Sequence, residues 1–350
     1  MALFGGTGTN LFITIPDMTR PLDVVPPLKH IRTCLEGDPT IMIGLGLHRP
    51  MTKMELQSLN GFRIEQHDPD DVVYTNQNYS WKHGEILGYI NKNILEHEHG
   101  ITIGIAELHQ YAGYSGGYKG VTIGCGGRQT ISALHHRDFV LQDEIVVGKI
   151  SQNPFREAVD LLGASTPCRH ALTWVPSLQQ WIFGDPKQTM LYIEQTDNPW
   201  NFVQQPYKNI ICNIPSAKSK SFYQASRIAT YIAFSPKPPI EPQATFFIEA
   251  PLEEGLGTEM GFCRALESCP YPYTELLTGQ PPTGAGAQRA VMIAKLAQQY
   301  NIEICGCINP HIFRDVGLSA TSKPAPRNQP KTLVLDLQKT LSHIPQLQRQ

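Results

Sequence analysis

The sequence predicts an α/β protein with mainly parallel sheets, and three observations support that expectation. Short apolar runs recur along the 350 residues, they lack the strict alternation of a strand with one wet face, and helical patterns lie between them. Isoleucine- and valine-rich runs without alternation suit strands buried on both faces. Strands that alternate with helices mark the α/β class.

In chain order, the expected strands are "NLFITI" (10–15), "TIMIGLGL" (40–47), "GITIGIAEL" (100–108), "NIIC" (209–212), "ATFFIEA" (244–250) and "NIEICGCI" (301–308). "MTKMELQSL" (51–59) places Thr52 and Glu55 at capping-box spacing, which predicts a helix start. "GCGGRQTISALHH" (124–136) runs from glycines into a helix with His135 and His136 at its far end, and "AQRAVMIAKLAQQY" (287–300) carries an apolar stripe at helical spacing. A chain of this length predicts two domains. The polar stretch "IEQTDNPWNFVQQPYKN" (193–209) sets the boundary: residues 1–200 form a catalytic domain and 201–325 a second α/β domain. Residues 326–350 then complete a proline-rich linker, "SKPAPRNQPK" (322–331), and a short final helix.

Composition excludes some classes. Net charge is −2, 17% of residues are charged and no basic block occurs, so nucleic acid is not an expected partner. No run approaches the ~20 apolar residues of a membrane span, and the N-terminus lacks a secretory leader pattern. The eight cysteines are scattered and read as free thiols, which suits the cytoplasm. Oligomeric state is left open.

Polar residues gather just after the expected strands, in "PDMTRP" (16–21), "HRPMT" (48–52) and "HQYAGYSGGYK" (109–119). In a parallel sheet those positions share the carboxyl edge, where ligands bind. Asp17, Arg20, His48, Arg49, His109 and Lys119 are therefore candidates for convergence. The glycine loop is not a Walker loop: counting from Gly113, the sixth position is Tyr118, and Lys119 is followed by Gly120. Gly116 and Gly117 would still let backbone N–H groups approach a phosphate, and the helix entered after Gly127 offers an anion-binding N-terminus. His67, His97 and His99 read as structural, and no HExxH or CxxC supports a zinc hydrolase.

The order and spacing of "DMTRP" (17–21), "GLHRPMTKMEL" (46–56), "HQYAGYSGGYK" (109–119), His135 sixteen residues after Lys119 and, more loosely, "SFYQASR" (221–227) resemble the nickel-dependent lactate racemase family. The resemblance is tight over about residues 10–136 and weaker to about 320. It implies two Rossmann-like α/β domains with an active-site cleft between them. It also implies a nickel pincer nucleotide, the nickel form of pyridinium-3,5-bisthiocarboxylic acid mononucleotide, made by separate cofactor-synthesis proteins. Lys119 would carry this group covalently, His135 would bind the nickel, and His48 and His109 would be the acid/base pair. Asp17 and Arg20 would lie against cofactor and substrate, with Tyr223, Gln224, Arg227 and Gln288 around the substrate.

The implied activity is racemisation or epimerisation of a 2-hydroxy acid by reversible hydride transfer. Removing hydride avoids an unstable carbanion. The two enantiomers present their hydroxyls in different directions, so two histidines serve better than one. A planar set of two sulfurs, one carbon and an imidazole suits Ni(II). The lysine would be a covalent anchor in a flexible glycine loop. Arg227 stands where the lactate enzymes have lysine, and Gln288 where they have tryptophan. A guanidinium fork and an amide predict a substrate larger or more polar than lactate. The runner-up expectation is a metal- or small-molecule-binding protein on the same scaffold, without turnover, using His48, His109 and His135 as ordinary ligands.

Overall fold

The computed structural model describes residues 10–197, 206–214 and 218–336. The chain divides into two compact units: Met1–Glu107, Tyr111–His135 and Lys149–Asp197 in one, and Leu108–Gln110, His136–Gly148 and Asn198–Gln350 in the other. The residues around the expected boundary at 200 lie outside the described ones.

The first unit begins with β1 (Leu11–Pro16), β2 (Thr40–Gly44) and β3 (Arg63–Gln66), followed by a hairpin of β4 (Val72–Trp81) and β5 (Gly84–Asn91) and then β6 (His99–Ile105). The short strands β7 (Leu108–His109) and β8 (Gly113–Tyr114) precede β9 (Cys168–Val175) and β10 (Gln180–Gly184). The main sheet has the order β10-β9-β6-β1-β2-β3, and only the β9–β10 pair is antiparallel. β1 pairs with β2 on one side and β6 on the other, so the strand order reverses around β1. A ligand crevice in a parallel sheet lies at the carboxyl ends beside such a reversal.

Ile13, Ile41, Ile43 and Ile101 are buried in one apolar cluster with Leu11, Ile15 and Ile103. Each such side chain contributes about 1.5–3 kcal/mol on leaving water, which makes the strands a rigid base for the loops that follow them.

The second unit holds β11 (Tyr207–Asn213), β12 (Ile240–Glu249), β13 (Asn301–Cys305), β14 (Ser319–Ala320) and β15 (Thr332–Asp336), in the order β14-β13-β12-β11-β15. All its pairs are parallel. The expected stripe helix spans Ala287–Gln299. The mixed α/β class with mainly parallel sheets is therefore the observed one.

Two local expectations need correction. Around Thr52 the reciprocal bonds of the capping box form, Thr52 N–H to Glu55 Oε2 at 2.7 Å and Glu55 N–H to Thr52 Oγ1 at 3.3 Å, but turns and a short 3-10 helix, Gln57–Leu59, follow instead of an α-helix. Past the proline-rich stretch, Thr332–Asp336 joins the sheet beside β11, where Leu333 and Leu335 are buried; residues 337–350, the rest of the expected final helix, lie outside the described ones. All eight cysteines are free thiols. Among the described residues no helix is long and apolar enough to cross a membrane.

Candidate active site

Asp17 follows β1 and His48 lies four residues past β2, on loops that leave neighbouring strands at the same edge. Nδ1 of His48 donates to Asp17 Oδ2 at 2.6 Å. The other oxygen, Oδ1, accepts from the Thr19 hydroxyl at 2.5 Å and the Thr19 backbone N–H at 3.1 Å. Burial pushes the Asp17 carboxyl pKa up, but the bonds from His48 and Thr19 and the nearby imidazole outweigh it, leaving the group below its ordinary value. Asp17 is thus an ionised, nearly buried anchor at 9% exposure, while the His48 side chain is 61% exposed. A carboxylate on Nδ1 fixes the tautomer that leaves the Nε2 lone pair free to accept a proton.

Arg20 takes a different partner. Its backbone N–H closes the turn onto the Asp17 carbonyl at 3.2 Å, and its Nη1 donates to Glu107 Oε2 at 3.0 Å. Glu107, just beyond β6, is 1% exposed. Sequence reading passed over it; its signal was a lone acid closing an apolar run, "GITIGIAEL". Arg49, also expected near the site, forms a forked pair with Glu55 at 2.7 and 2.9 Å on the surface.

The glycine loop is packed, which corrects the expectation of a flexible one. Gly113, Gly116 and Gly117 all have positive φ. A β-carbon on Gly117 would lie 2.4 Å from Arg156 Nη2 and 2.7 Å from Met190 Cγ, and one on Gly113 would lie 2.2 Å from the Lys149 carbonyl oxygen. The glycines therefore admit protein neighbours. The Gly116 carbonyl accepts from Arg156 Nη1 at 3.2 Å and the Gly117 carbonyl from the Thr102 hydroxyl at 3.3 Å. Arg156 belongs to the helix Pro154–Ala164, whose N-cap Asn153 donates to the carbonyls of Tyr111 and Lys149 at 2.8 and 2.9 Å, so this helix holds the loop at Tyr111 through its cap and at Gly116 through Arg156. Lys119 opens the short helix Lys119–Thr122 straight after this pinned turn.

His135 is the C-cap of the helix Arg128–Leu134. Its Nδ1–H donates to the Ile131 carbonyl at 2.8 Å, and its ring meets Tyr111 and Phe155 edge-on at 5.6 and 5.4 Å. Burial lowers its pKa to about 4, and the positive charge of Lys119 adds to the shift. The imidazole is neutral near pH 7, and its Nε2 carries the lone pair. The helix N-terminus expected to bind an anion is already engaged: the Gly127 N–H donates to Tyr89 O at 2.8 Å and the Arg128 N–H to Pro69 O at 3.1 Å.

His109 sits in β7, within the segment Leu108–Gln110 of the second unit. Also in that unit, the Arg227 guanidinium lies 5.4 Å from the centre of the Tyr223 ring, a cation–π contact, and Tyr223 meets Phe262 edge-on at 5.3 Å. Gly286, with positive φ, makes room for Tyr223 at the start of the helix that bears Gln288. Gln224 is half-buried on the short helix Phe222–Ala225.

The residues fit the implied cofactor. A single neutral imidazole with its other nitrogen held by a carbonyl is a well-oriented metal ligand, and the lysine proposed as anchor acts electrostatically on that same ring. Among the described residues no three His, Cys, Asp or Glu side chains gather as a metal site.

These features define an α/β protein of two units whose first unit carries a histidine–carboxylate pair at the carboxyl edge of its sheet, a lysine after the glycine loop and a neutral histidine at a helix end. Residues 4–148 match the lactate racemase N-terminal domain. The chain is 30% identical over 154 residues to the lactate racemase of Lactiplantibacillus plantarum and 28% identical over 158 residues to that of Thermoanaerobacterium thermosaccharolyticum. Each match covers 41% of this chain and 36% of the relative, so the chain spans about a third of the curated relatives it matches. Its fold superposes on the lactate racemase apoprotein of T. thermosaccharolyticum with a TM-score of 0.78 at 20% identity, over 90% of this chain and 79% of the other. It also superposes on a Thermotoga maritima protein with a TM-score of 0.69 at 14% identity, over 89% and 86% of the two chains. The likeness to lactate racemases thus lies in the N-terminal part of the chain, with the fold shared more widely.

Proposed function

We propose that the protein racemises or epimerises a 2-hydroxy acid, with a nickel pincer nucleotide carried on Lys119 and ligated by His135 Nε2. The observation that carries this reading is His135, a neutral imidazole oriented by the Ile131 carbonyl and sensitive to the charge of Lys119. When bound, the group supplies an electrophilic carbon that accepts the substrate's α-hydrogen as hydride.

The chain's own residues supply the rest. His48, oriented by Asp17, takes the hydroxyl proton of one enantiomer at Nε2 and returns it in the reverse direction; His109 does the same for the other. The Asp17 carboxylate stabilises the imidazolium that forms on His48. Arg20, steadied by Glu107, keeps a positive edge on the loop that also carries Asp17. Arg227, Tyr223, Gln224 and Gln288 set the substrate class. A guanidinium held over a phenol ring offers a planar fork suited to a second carboxylate, so the proposed substrate is a hydroxy acid larger or more polar than lactate, such as a dicarboxylate or a sugar acid.

The test is peptide mass spectrometry with nickel analysis on protein produced together with the cofactor-synthesis machinery. A nickel- and sulfur-containing adduct on Lys119 is expected. An unmodified Lys119 under conditions that load a known lactate racemase overturns the reading.

A further inference from the structure

The second unit buries a charge for which the proposed chemistry gives no role. Arg289, next to Gln288 in the helix Ala287–Gln299, is 4% exposed. Its Nη2 donates to Thr230 Oγ1 at 2.9 Å and Ser226 Oγ at 3.3 Å, and its Nη1 donates to Gln110 Oε1 at 3.3 Å. The Thr230 hydroxyl donates to the same Gln110 oxygen at 2.6 Å. Gln110, Ser226 and Thr230 are all buried. Taking a guanidinium out of water is costly unless its donors are met, and here three side chains meet those of Nη1 and Nη2.

Arg289 and its partners lie on three separate segments, and each segment adjoins a proposed site residue. Gln110 follows His109, Ser226 precedes Arg227, and Arg289 follows Gln288. The planar fork of arginine gives its donors fixed directions, so one side chain fixes the spacing of the three segments.

We propose that Arg289 is a positioning residue that holds His109, Arg227 and Gln288 in register through Gln110, Ser226 and Thr230. This rests on the racemase reading for the roles of those three residues, but the clamp itself does not. Gln110 Oε1 receives two bonds, which holds the backbone beside His109, and a displacement of about 1 Å at an acid/base group costs on the order of a hundredfold in rate. Ser226 holds the start of the helix bearing Arg227, so its loss acts on substrate binding.

The first measurement uses hydrogen exchange with mass spectrometry on the full chain without cofactor. In Arg289→Met and in Thr230→Val, exchange of the amides over residues 108–112 rises about tenfold or more while peptides of the β1–β2–β6 sheet keep their protection. Gln110→Glu, which keeps an acceptor facing the guanidinium, retains wild-type protection. Thr230→Val removes one hydroxyl at constant shape and decides the matter if Arg289→Met does not fold. Unchanged exchange over 108–112 in Thr230→Val overturns the clamp.

The second measurement uses the cofactor-loaded enzyme. Gln110→Leu lowers kcat about tenfold or more with little change in KM, whereas Ser226→Ala raises KM about threefold with little change in kcat. Equal effects of the two variants on both constants mean general softening and overturn the positioning role. If the loaded wild type turns over no 2-hydroxy acid, the racemase reading fails, and the exchange experiment still decides whether Arg289 ties the three segments.

Discussion

Nδ1 of His48 lies 2.6 Å from Oδ2 of Asp17, joining two loops that are 31 residues apart in sequence and leave adjacent parallel strands. The carboxylate is buried and charged while the imidazole is exposed, so the pair presents one ring nitrogen outward and fixes the proton on the other.

Replacing Asp17 with asparagine keeps the size but removes the charge that orients and stabilises a protonated His48. In the loaded enzyme, Asp17→Asn should lower kcat about a hundredfold, in the range that positioned acid/base groups supply, with the circular dichroism spectrum unchanged. Steady-state kinetics in each direction check this; a loss below threefold in both directions removes His48 from the acid/base role.

Arg20 and Glu107 form an ion pair whose acid is 1% exposed. Arg20→Met leaves that carboxylate without its guanidinium, and removing one partner of a buried pair costs about 3 kcal/mol or more. The loss is read as a lowered urea midpoint at unchanged m-value. A midpoint equal to the wild type means that the Glu107 side chain does not depend on Arg20 for its support.

Gly117 has φ +59°, and a β-carbon there would lie 2.4 Å from Arg156 Nη2 and 2.8 Å from the Pro186 carbonyl oxygen. Gly117→Ala combines left-handed backbone strain with overpacking, for an expected loss of about 2–4 kcal/mol. Thermal unfolding measures it. If Gly117→Ala is as stable as the wild type, the loop is free to move and the close fit does not hold Lys119.

The reading of the sequence worked where a signal was local. The Ile-rich runs around residues 13, 42, 103, 211, 247 and 304 became strands because burial on both faces needs nothing but apolar side chains. The hairpin of β4 and β5 escaped because its strands mix polar and apolar residues with several half-exposed positions, as in "VVYTNQNYSW". At the site, residue types at strand ends were legible, but pairings were not. Nothing in the sequence states that His48 reaches Asp17, that Arg20 reaches Glu107 or that Gln110 meets Arg289, because each bond spans a distance that only the fold closes. The glycine loop was read as open for the same reason: its neighbours, Arg156 and Met190, lie far along the chain.

Two histidines withdrawn from water, His67 buried and His135 half-buried, predict a pH dependence. His67 Nε2–H donates to the Gly126 carbonyl at 3.0 Å and its Nδ1 accepts from Asn91 at 3.2 Å, an arrangement open only to the neutral ring. Burial lowers its pKa, and burial lowers that of His135 to about 4. An unfolded imidazole titrates near 6.5, so below that value the unfolded chain binds more protons than the fold. Stability should be full above about pH 6.5 and fall as the pH drops toward 4. His67→Gln, whose amide can both donate and accept, should flatten part of this slope. Melting curves from pH 7.5 to 4.5 compare the two; identical slopes remove His67 from the effect.

Arg227 lies over the Tyr223 ring at 5.4 Å, and that ring is itself held by Phe262 and by the space at Gly286. A flexible ammonium would not reproduce this fixed plane, because lysine offers a point charge without a fork. If the guanidinium receives a second carboxylate, Arg227→Lys should raise KM for a dicarboxylate such as malate by about tenfold, the worth of one charge-assisted hydrogen bond. KM for lactate, which lacks that group, should change far less. The comparison needs only the two substrates and the loaded wild-type and variant enzymes. Equal turnover of lactate by the wild type, with no turnover of malate or aldonates, shows that the fork serves the carboxylate common to all of them and that the substrate is as small as lactate.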